Sequence, residues 1–273
     1  MKGRDILAFL SIKYNGNWED IFEAIRNKRD LVKEDCVVET LSNIRSQYIT
    51  IIDEDYPKCL KEVRKPPFVL FYYGDISLIS DSNKCISIIG NRKCTDYGKK
   101  MTKLLSSDLA KDLVVVSGLA KGVDSIAHES AIEVGGKTVA VLGSGIDNCY
   151  PLEKKDLYEK IKKDHLLISE YPGDTAPNKE HFPFRNRLIS AFSKGVLVTE
   201  AKYHSGSSIT VAFALEQGKS VCCVPTHALE ESLCNRLISD GARLVEKAKD
   251  VLEEIDFKKE EVQTNWKNLK EIY

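Results

Sequence analysis

From Lys84 onward the chain repeats one pattern: a short, continuously apolar segment, then an amphipathic one. The apolar segments are Cys85 to Ile89, Leu113 to Val116, Thr138 to Leu142, Leu166 to Ile168, Val196 to Val198 and Ser220 to Val224, with a weaker one at Arg243 to Val245. Between them, helical spacing runs over Tyr97 to Lys111, Val123 to Val134, Glu153 to Lys163, Ser208 to Gln217 and Ser232 to Ser239. Strands that are apolar throughout are buried on both faces, and alternation with helices supplies the cover. Glycines at Gly135-Gly136, Gly218 and Gly241 stand where helices close. The pattern predicts an α/β fold with a Rossmann-like, doubly wound, mostly parallel sheet. Ile49 to Ile52 and Phe68 to Tyr73 read as extra strands that extend it, giving a domain over 49–255. Residues 1–48 carry their own helical periodicity, at Ile6, Leu7, Phe9 and Leu10 and again at Trp18, Ile21, Phe22 and Ile25. They read as a small helical accessory domain. Residues 256–273 read as a charged tail or terminal helix.

In open sheets of this kind, ligands bind beyond the carboxyl ends of the strands. There the sequence sets Gly90-Asn91-Arg92, then Ser117-Gly118-Leu119-Ala120-Lys121-Gly122, then Gly143-Ser144-Gly145. After a loop come Arg185-Asn186-Arg187, then Glu200 and Ser205-Gly206-Ser207. Glycine admits close backbone approach, and arginine forks hold phosphate oxygens in pairs. The small residues opening the helix at Ser208 leave N–H groups free for an anion. Phosphate is the ligand class these residues suit. Lys plus Arg total 40 against 41 Asp plus Glu, a net charge of −1, so a polyanion site must be a local patch.

Each element also has a structural reading. Gly143-Ser144-Gly145 lacks the third glycine of a dinucleotide fingerprint, since Asn148 stands there. Gly118 and Gly122 suit tight strand-to-helix packing, and Lys121 suits a solvated helix start. Arg185 and Arg187 have acidic neighbours such as Glu180 and Glu200, and Arg187 can face away from the pocket into an ion pair. The eight cysteines form no C-x-x-C pair and sit in or beside apolar runs, as reduced, buried thiols do; no metal is expected. No run approaches about 18 apolar residues and no signal core follows Met1. The expectation is a soluble, cytoplasmic protein with no membrane contact.

Longer motifs carry a family resemblance. Ser117-Gly118-Leu119-Ala120-Lys121-Gly122-Val123-Asp124, Val139 to Asp147, Tyr150-Pro151, Ser169-Glu170-Tyr171-Pro172, Phe182 to Ser190 and Ser205 to Thr210 resemble the bacterial DprA (Smf) family of DNA-processing proteins. Tyr56-Pro57 and Pro66-Pro67 to Gly74 are similar to that family's lead-in, so the resemblance covers Tyr56 to Ile255. It implies a single-stranded DNA-binding recombination mediator, not an enzyme, with no cofactor. Such a protein protects incoming DNA in natural transformation, loads the recombinase RecA and forms homodimers through the Rossmann domain. Carried across, the DNA-binding residues are Gly90, Arg92, Ser117, Gly118, Lys121, Arg185, Asn186, Arg187, Ser205, Gly206 and Ser207. The chain departs from the family at Ser190-Ala191, where alanine-glycine is usual, and at Pro225-Thr226, where proline-glycine is usual. Many members carry a C-terminal winged-helix-like domain; none is expected in 256–273. A more remote resemblance to nucleotide phosphoribohydrolases implies a competing enzyme reading, with Glu170 or Glu200 as the carboxylate. Their Pro-Gly-Gly-x-Gly-Thr loop is missing, and Ser205-Gly206-Ser207-Ser208 stands in the comparable place.

Overall fold

The computed structural model describes residues 2–28 and 33–256. Apart from Asp256, the charged tail lies outside the described residues, as do Leu31 and Val32. The helices α1 (Gly3–Lys13), α2 (Trp18–Asn27) and α3 (Glu34–Ser42) come first. Asn17 starts α2 by accepting the N–H groups of Glu19 and Asp20 on its side-chain oxygen. Then follow β1 (Gln47–Thr50), α4 (Lys58–Lys61), β2 (Val69–Gly74) and β3 (Cys85–Gly90). The regular part continues through α5 (Asp96–Leu109), β4 (Val114–Ser117), α6 (Val123–Glu133), β5 (Thr138–Leu142), α7 (Lys155–Asp164) and β6 (Leu166–Ser169). It closes with α8 (His181–Ala191), β7 (Gly195–Glu200), α9 (Gly206–Glu216), β8 (Ser220–Cys223), α10 (Leu233–Ser239) and β9 (Arg243–Leu244), and 248–256 is again helical.

The nine strands form one sheet in the order β1-β2-β6-β5-β4-β3-β7-β8-β9. All pairs from β6 to β9 are parallel, and the two N-terminal strands add on antiparallel through β2 and β6. The sheet is therefore mostly parallel, as the alternation predicts. One difference is that β1 starts at Gln47, where it pairs with Tyr72, rather than at Ile49. Side-chain parity explains the double winding. Ile86, Ile88, Val115 and Leu197 meet Leu105, Leu109, Ala127 and Val251 on one face. Ile89, Val116, Val141 and Val198 meet Leu188, Phe192, Val211 and Cys234 on the other. The N-terminal helices pack on the β2 end of the sheet, with Leu7 and Ile12 beside Phe71 and Leu10 beside Phe68. The Trp18 indole donates to the Pro66 carbonyl at 2.7 Å. Among the described residues no helix is long and apolar enough to cross a membrane.

The chain runs from β3 through β4 and β5 to β6, then returns to place β7 on the other side of β3. The crevice beyond β3 and β7 is the switch point where such sheets hold ligands. The core also holds a titratable group. His128 on α6 is fully buried. Its Nδ1 lies 2.6 Å from Thr138 Oγ1, and that hydroxyl donates onward to Val115 O. His128 Nδ1 is thus the donor, and Nε2 has no partner among the described residues. Burial, with nearby His165 and Arg185 adding to it, pushes the imidazole down to about 3. The folded state therefore binds fewer protons than the unfolded one. Stability is complete above the ordinary histidine value and falls as pH drops below about 6.5, levelling near 3. Between pH 7 and pH 5 this one group costs about 2 kcal/mol. Urea unfolding of His128→Asn at both pH values should show a pH 7-to-5 loss smaller than the wild type's by that amount; an equal loss would show that His128 is not the group responsible.

Candidate functional site

At the switch point lies a groove of about 630 Å³. The end of β3 contributes Gly90, Asn91 and Arg92, and the start of α6 contributes Ala120 and Asp124. The opposite wall is Lys179, Phe182, Pro183, Arg185, Asn186 and Ile189, and the far end is Ser205, Gly206, Ser207 and Thr210 at the start of α9. Tyr150 closes the remaining side. A smaller lobe of about 70 Å³ continues past Arg92, Tyr150, Phe182 and Arg185 to Gly118 and Lys121.

The largest departure from the sequence reading is α8. Arg185-Asn186-Arg187 is expected to follow a loop, but it lies inside a buried helix that begins at His181. Pro183 sits in the first turn, where its missing N–H costs nothing. Residues two apart on a helix point about 200° away from each other, so the two arginines part company. Arg187 is sequestered. Its Nη1 and Nη2 each donate to Glu170 at 2.6 Å, Nη1 also donates to Phe184 O at 2.9 Å, and Nε and Nη2 donate to Lys65 O at 3.2 and 2.9 Å. All five N–H groups are used, and the guanidinium lies 3.7 Å from the Phe184 ring centroid. It lines neither lobe. Its partner is Glu170, not Glu180 or Glu200.

Arg185 faces the groove but is only 5% exposed. Nε donates to Asn186 Oδ1, and Nη1 donates to the carbonyls of Gly118 and Val141. Nη2 has no acceptor among the described residues. The side chain thus caps β5 where β4 leaves it and turns one edge to the cavity. Burial lowers its basicity to about 10, with Asp124 opposing the shift, so it stays charged at neutral pH. The same burial raises the Asp124 carboxyl, which Arg185 and the N–H groups of Ala120 and Gly118 hold back down. At Gly118 a Cβ would lie 2.6 Å from Arg185 Nη2, so any larger residue would have to displace this guanidinium. Gly122 is required, with φ +78° and a Cβ that would fall 2.3 Å from Asn91 O.

Asn91 ties the end of β3 to the end of β7 and the start of α6. Its N–H donates to Glu200 O at 2.8 Å, its carbonyl accepts from Val123 N, its Nδ2 donates to Glu200 Oε1 at 2.9 Å and its Oδ1 accepts from Lys202 N. Glu200 also accepts from Thr95 N and Thr95 Oγ1. Both carboxylates of the enzyme reading are therefore occupied, Glu200 by this loop and Glu170 by Arg187. Ser117 is buried, donates to Ile88 O at 2.7 Å and does not line the groove. Lys121 is paired with Glu153 at 2.6 Å. Arg92 and Lys179 have no ion-pair partner among the described residues. At α9 the Ser205 side chain makes no cap, and its Oγ is buried without a partner among the described residues. Ser208 N donates to Ser205 O at 3.1 Å, whereas the N–H groups of Gly206 and Ser207 have no acceptor among the described residues. Lys179, Phe182, Tyr150 and Asp124 also line the groove, as do Ile89, Asn91, Ala120, Pro183, Ile189 and Thr210, and all are absent from the sequence-derived set. Helical spacing from His181 would have found part of it, since Phe182, Arg185, Asn186 and Ile189 share one face.

The Arg187 pair makes a separable prediction. Removing one member of a buried pair costs about 3–5 kcal/mol. Arg187→Ala should melt about 10 °C lower by circular dichroism, and the salt dependence of any polyanion binding should stay as in the wild type. A normal melting point with a flattened slope would place Arg187 in the binding surface instead.

Comparison with known proteins agrees with this architecture. A family model described as DNA recombination-mediator protein A matches residues 47–256. The chain is 42% identical over 210 residues to the DNA processing protein DprA of Streptococcus pneumoniae, covering 76% of this chain and 74% of that one. It is 41% identical to the Bacillus subtilis DprA, over 76% of this chain and 70% of that one. Among solved structures, DprA from Streptococcus pneumoniae superposes with a TM-score of 0.76 at 38% identity, covering 86% of this chain and 80% of that one. The Helicobacter pylori protein, whose structure concerns its single-stranded DNA binding mode, superposes with a TM-score of 0.70 at 32% identity, over 80% of this chain and 98% of that one. On the span of the family model and the identity of these relatives, the chain belongs to the DNA recombination-mediator protein A family, the DprA (Smf) proteins.

Proposed function

We propose that the groove binds single-stranded DNA and that the protein acts as a recombination mediator, protecting incoming DNA in the cytoplasm during transformation and loading RecA onto it. The observation that carries this reading is the pair of unpartnered cations, Arg92 and Lys179, lining one groove with the Phe182 ring. Arg92 lies 5.8 Å from the Phe182 centroid. Cations that follow a backbone, combined with aromatic faces for bases, are what single strands require. The free edge of Arg185 and the uncapped start of α9 add two further positions for phosphate oxygens. Of the remaining residues carried over from the family, Gly90, Asn186, Ser205, Gly206 and Ser207 line the main lobe, and Gly118 and Lys121 the smaller one. Arg187 and Ser117 serve the scaffold. Lys121 joins only if Glu153 releases it.

We assign the helical unit an accessory role, because no residue before Ile89 lines the groove. Homodimerisation is part of the same proposal. It is supported by β9, which ends the sheet among the described residues and carries an exposed Leu244.

With Arg92, Lys179 and Arg185 each neutralising one phosphate, log K should fall against log salt with a slope of about −2. Raising salt from roughly 50 to 200 mM then weakens binding about twenty-fold. Arg92→Ala and Lys179→Ala should each flatten the slope by about 0.7 and weaken all sequences alike. A poly-deoxythymidine oligonucleotide should bind more tightly than a duplex of equal length, as read by fluorescence anisotropy. Equal affinity for duplex, or wild-type slopes in both variants, would overturn the reading.

Deleting residues 1–45, which spares β1, should leave DNA affinity unchanged. A truncated chain that is folded by circular dichroism yet fails to bind would place the helical unit in the site.

A further inference from the structure

One surface residue has no structural explanation. Tyr150 is 44% exposed, and its hydroxyl meets no partner among the described residues. Leu152, two residues on, is 70% exposed. A tyrosine in a folded domain ordinarily buries its ring and gives its hydroxyl a partner. Tyr150 does neither, yet it lines both lobes of the groove. Its ring lies 5.4 Å from that of Phe182, tilted by 38°. Phe182 is seated on the backbone of Gly143, where a Cβ would fall 2.7 Å from its ring, and it has Arg92 as a further neighbour. Arg92, Phe182 and Tyr150 thus form a short cluster of flat groups, exposed at both ends. With Ala120 and Arg185 these three line both lobes, so the lobes divide at this cluster.

We propose that Tyr150 is a base-stacking residue at the divide between the lobes, so that a bound strand passes over it and occupies both. This rests on the single-strand reading of the groove. An exposed ring with a free face offers a base the contact that the protein itself leaves unmade, and stacking of this kind is indifferent to sequence because every base has a π-face. The arrangement divides the labour: Arg92 and Lys179 meet phosphates, and Tyr150 meets a base. The two contributions therefore respond to different changes in the nucleic acid.

The test uses the full chain and two oligonucleotides of equal length, one of poly-deoxythymidine and one of abasic deoxyribose phosphate. Tyr150→Ala should bind the thymidine strand about 5- to 150-fold more weakly than wild type, with an unchanged salt slope. On the abasic strand the two proteins should bind alike. Tyr150→Phe should retain wild-type affinity, because the ring and not the hydroxyl makes the contact. Wild-type affinity of Tyr150→Ala for the thymidine strand overturns the inference, and so does an equal loss on both strands, which would mark a change in groove shape. If wild type retains neither strand, the single-strand reading itself has failed and takes this inference with it. That outcome appears in the wild-type arm alone.

Discussion

The ion pair between Arg187 and Glu170 holds the site in place without touching it. Glu170 follows β6, Lys65 belongs to the connection before β2, and Arg187 ties both to α8 through a fully used guanidinium. Were α8 to rotate, Arg187 would be left as a buried charge without partners, which is far costlier than any gain elsewhere. The helix therefore has one allowed azimuth. That azimuth aims Arg185 at the ends of β4 and β5, and it sets Phe182 and Asn186 along the groove. A charged pair inside the protein fixes the direction of a second charge that faces the groove.

The architecture was legible wherever hydrophobic period alone decides structure. The six main strands of the regular part lie where continuous apolar runs predict them, because a strand buried on both faces has no choice but to be apolar. Helix α8 was not legible in this way. Its buried residues include Arg185, Asn186 and Arg187, polar side chains bonded to carbonyls and a carboxylate from distant parts of the chain. Its proline, in the first turn, reads as a break when taken alone. Tertiary hydrogen bonds overrode both signals. The consequence reached the site: read as extended, Arg185 and Arg187 look like a double fork, whereas the helix separates a groove residue from a scaffold residue.

The charge balance is resolved on the same local scale. A net charge of −1 gives no bulk attraction to a polyanion, and many surface lysines are matched, as Lys99 is by Asp96 and Lys111 by Asp108. Lys121 is matched as well, by Glu153. What distinguishes the groove is not the number of its cations but that Arg92 and Lys179, with no ion-pair partner among the described residues, line one cleft beside Phe182. No count of residue types could reveal this, since it depends on which carboxylates the fold brings within reach.

Asn91 has a consequence for the other party to binding. Through its main chain and its amide it joins the end of β3, the end of β7 and the first turn of α6. That side of the cleft cannot deform without breaking several of these bonds, and Arg185 and Asn186 tie the facing helix to the carbonyls of Gly118, Val141 and Gly206. The protein therefore brings a stiff mould to the encounter, and any bending needed to fill it must come from the polymer that enters. A single strand is flexible along its backbone and can follow such a mould, whereas a double helix, with a persistence length of about 150 base pairs, bends over a short site only at a cost on the order of several kcal/mol. On the proposed single-strand reading, discrimination between the two forms of DNA would need no contact that reads strandedness; it would follow from which of the two molecules is able to change shape.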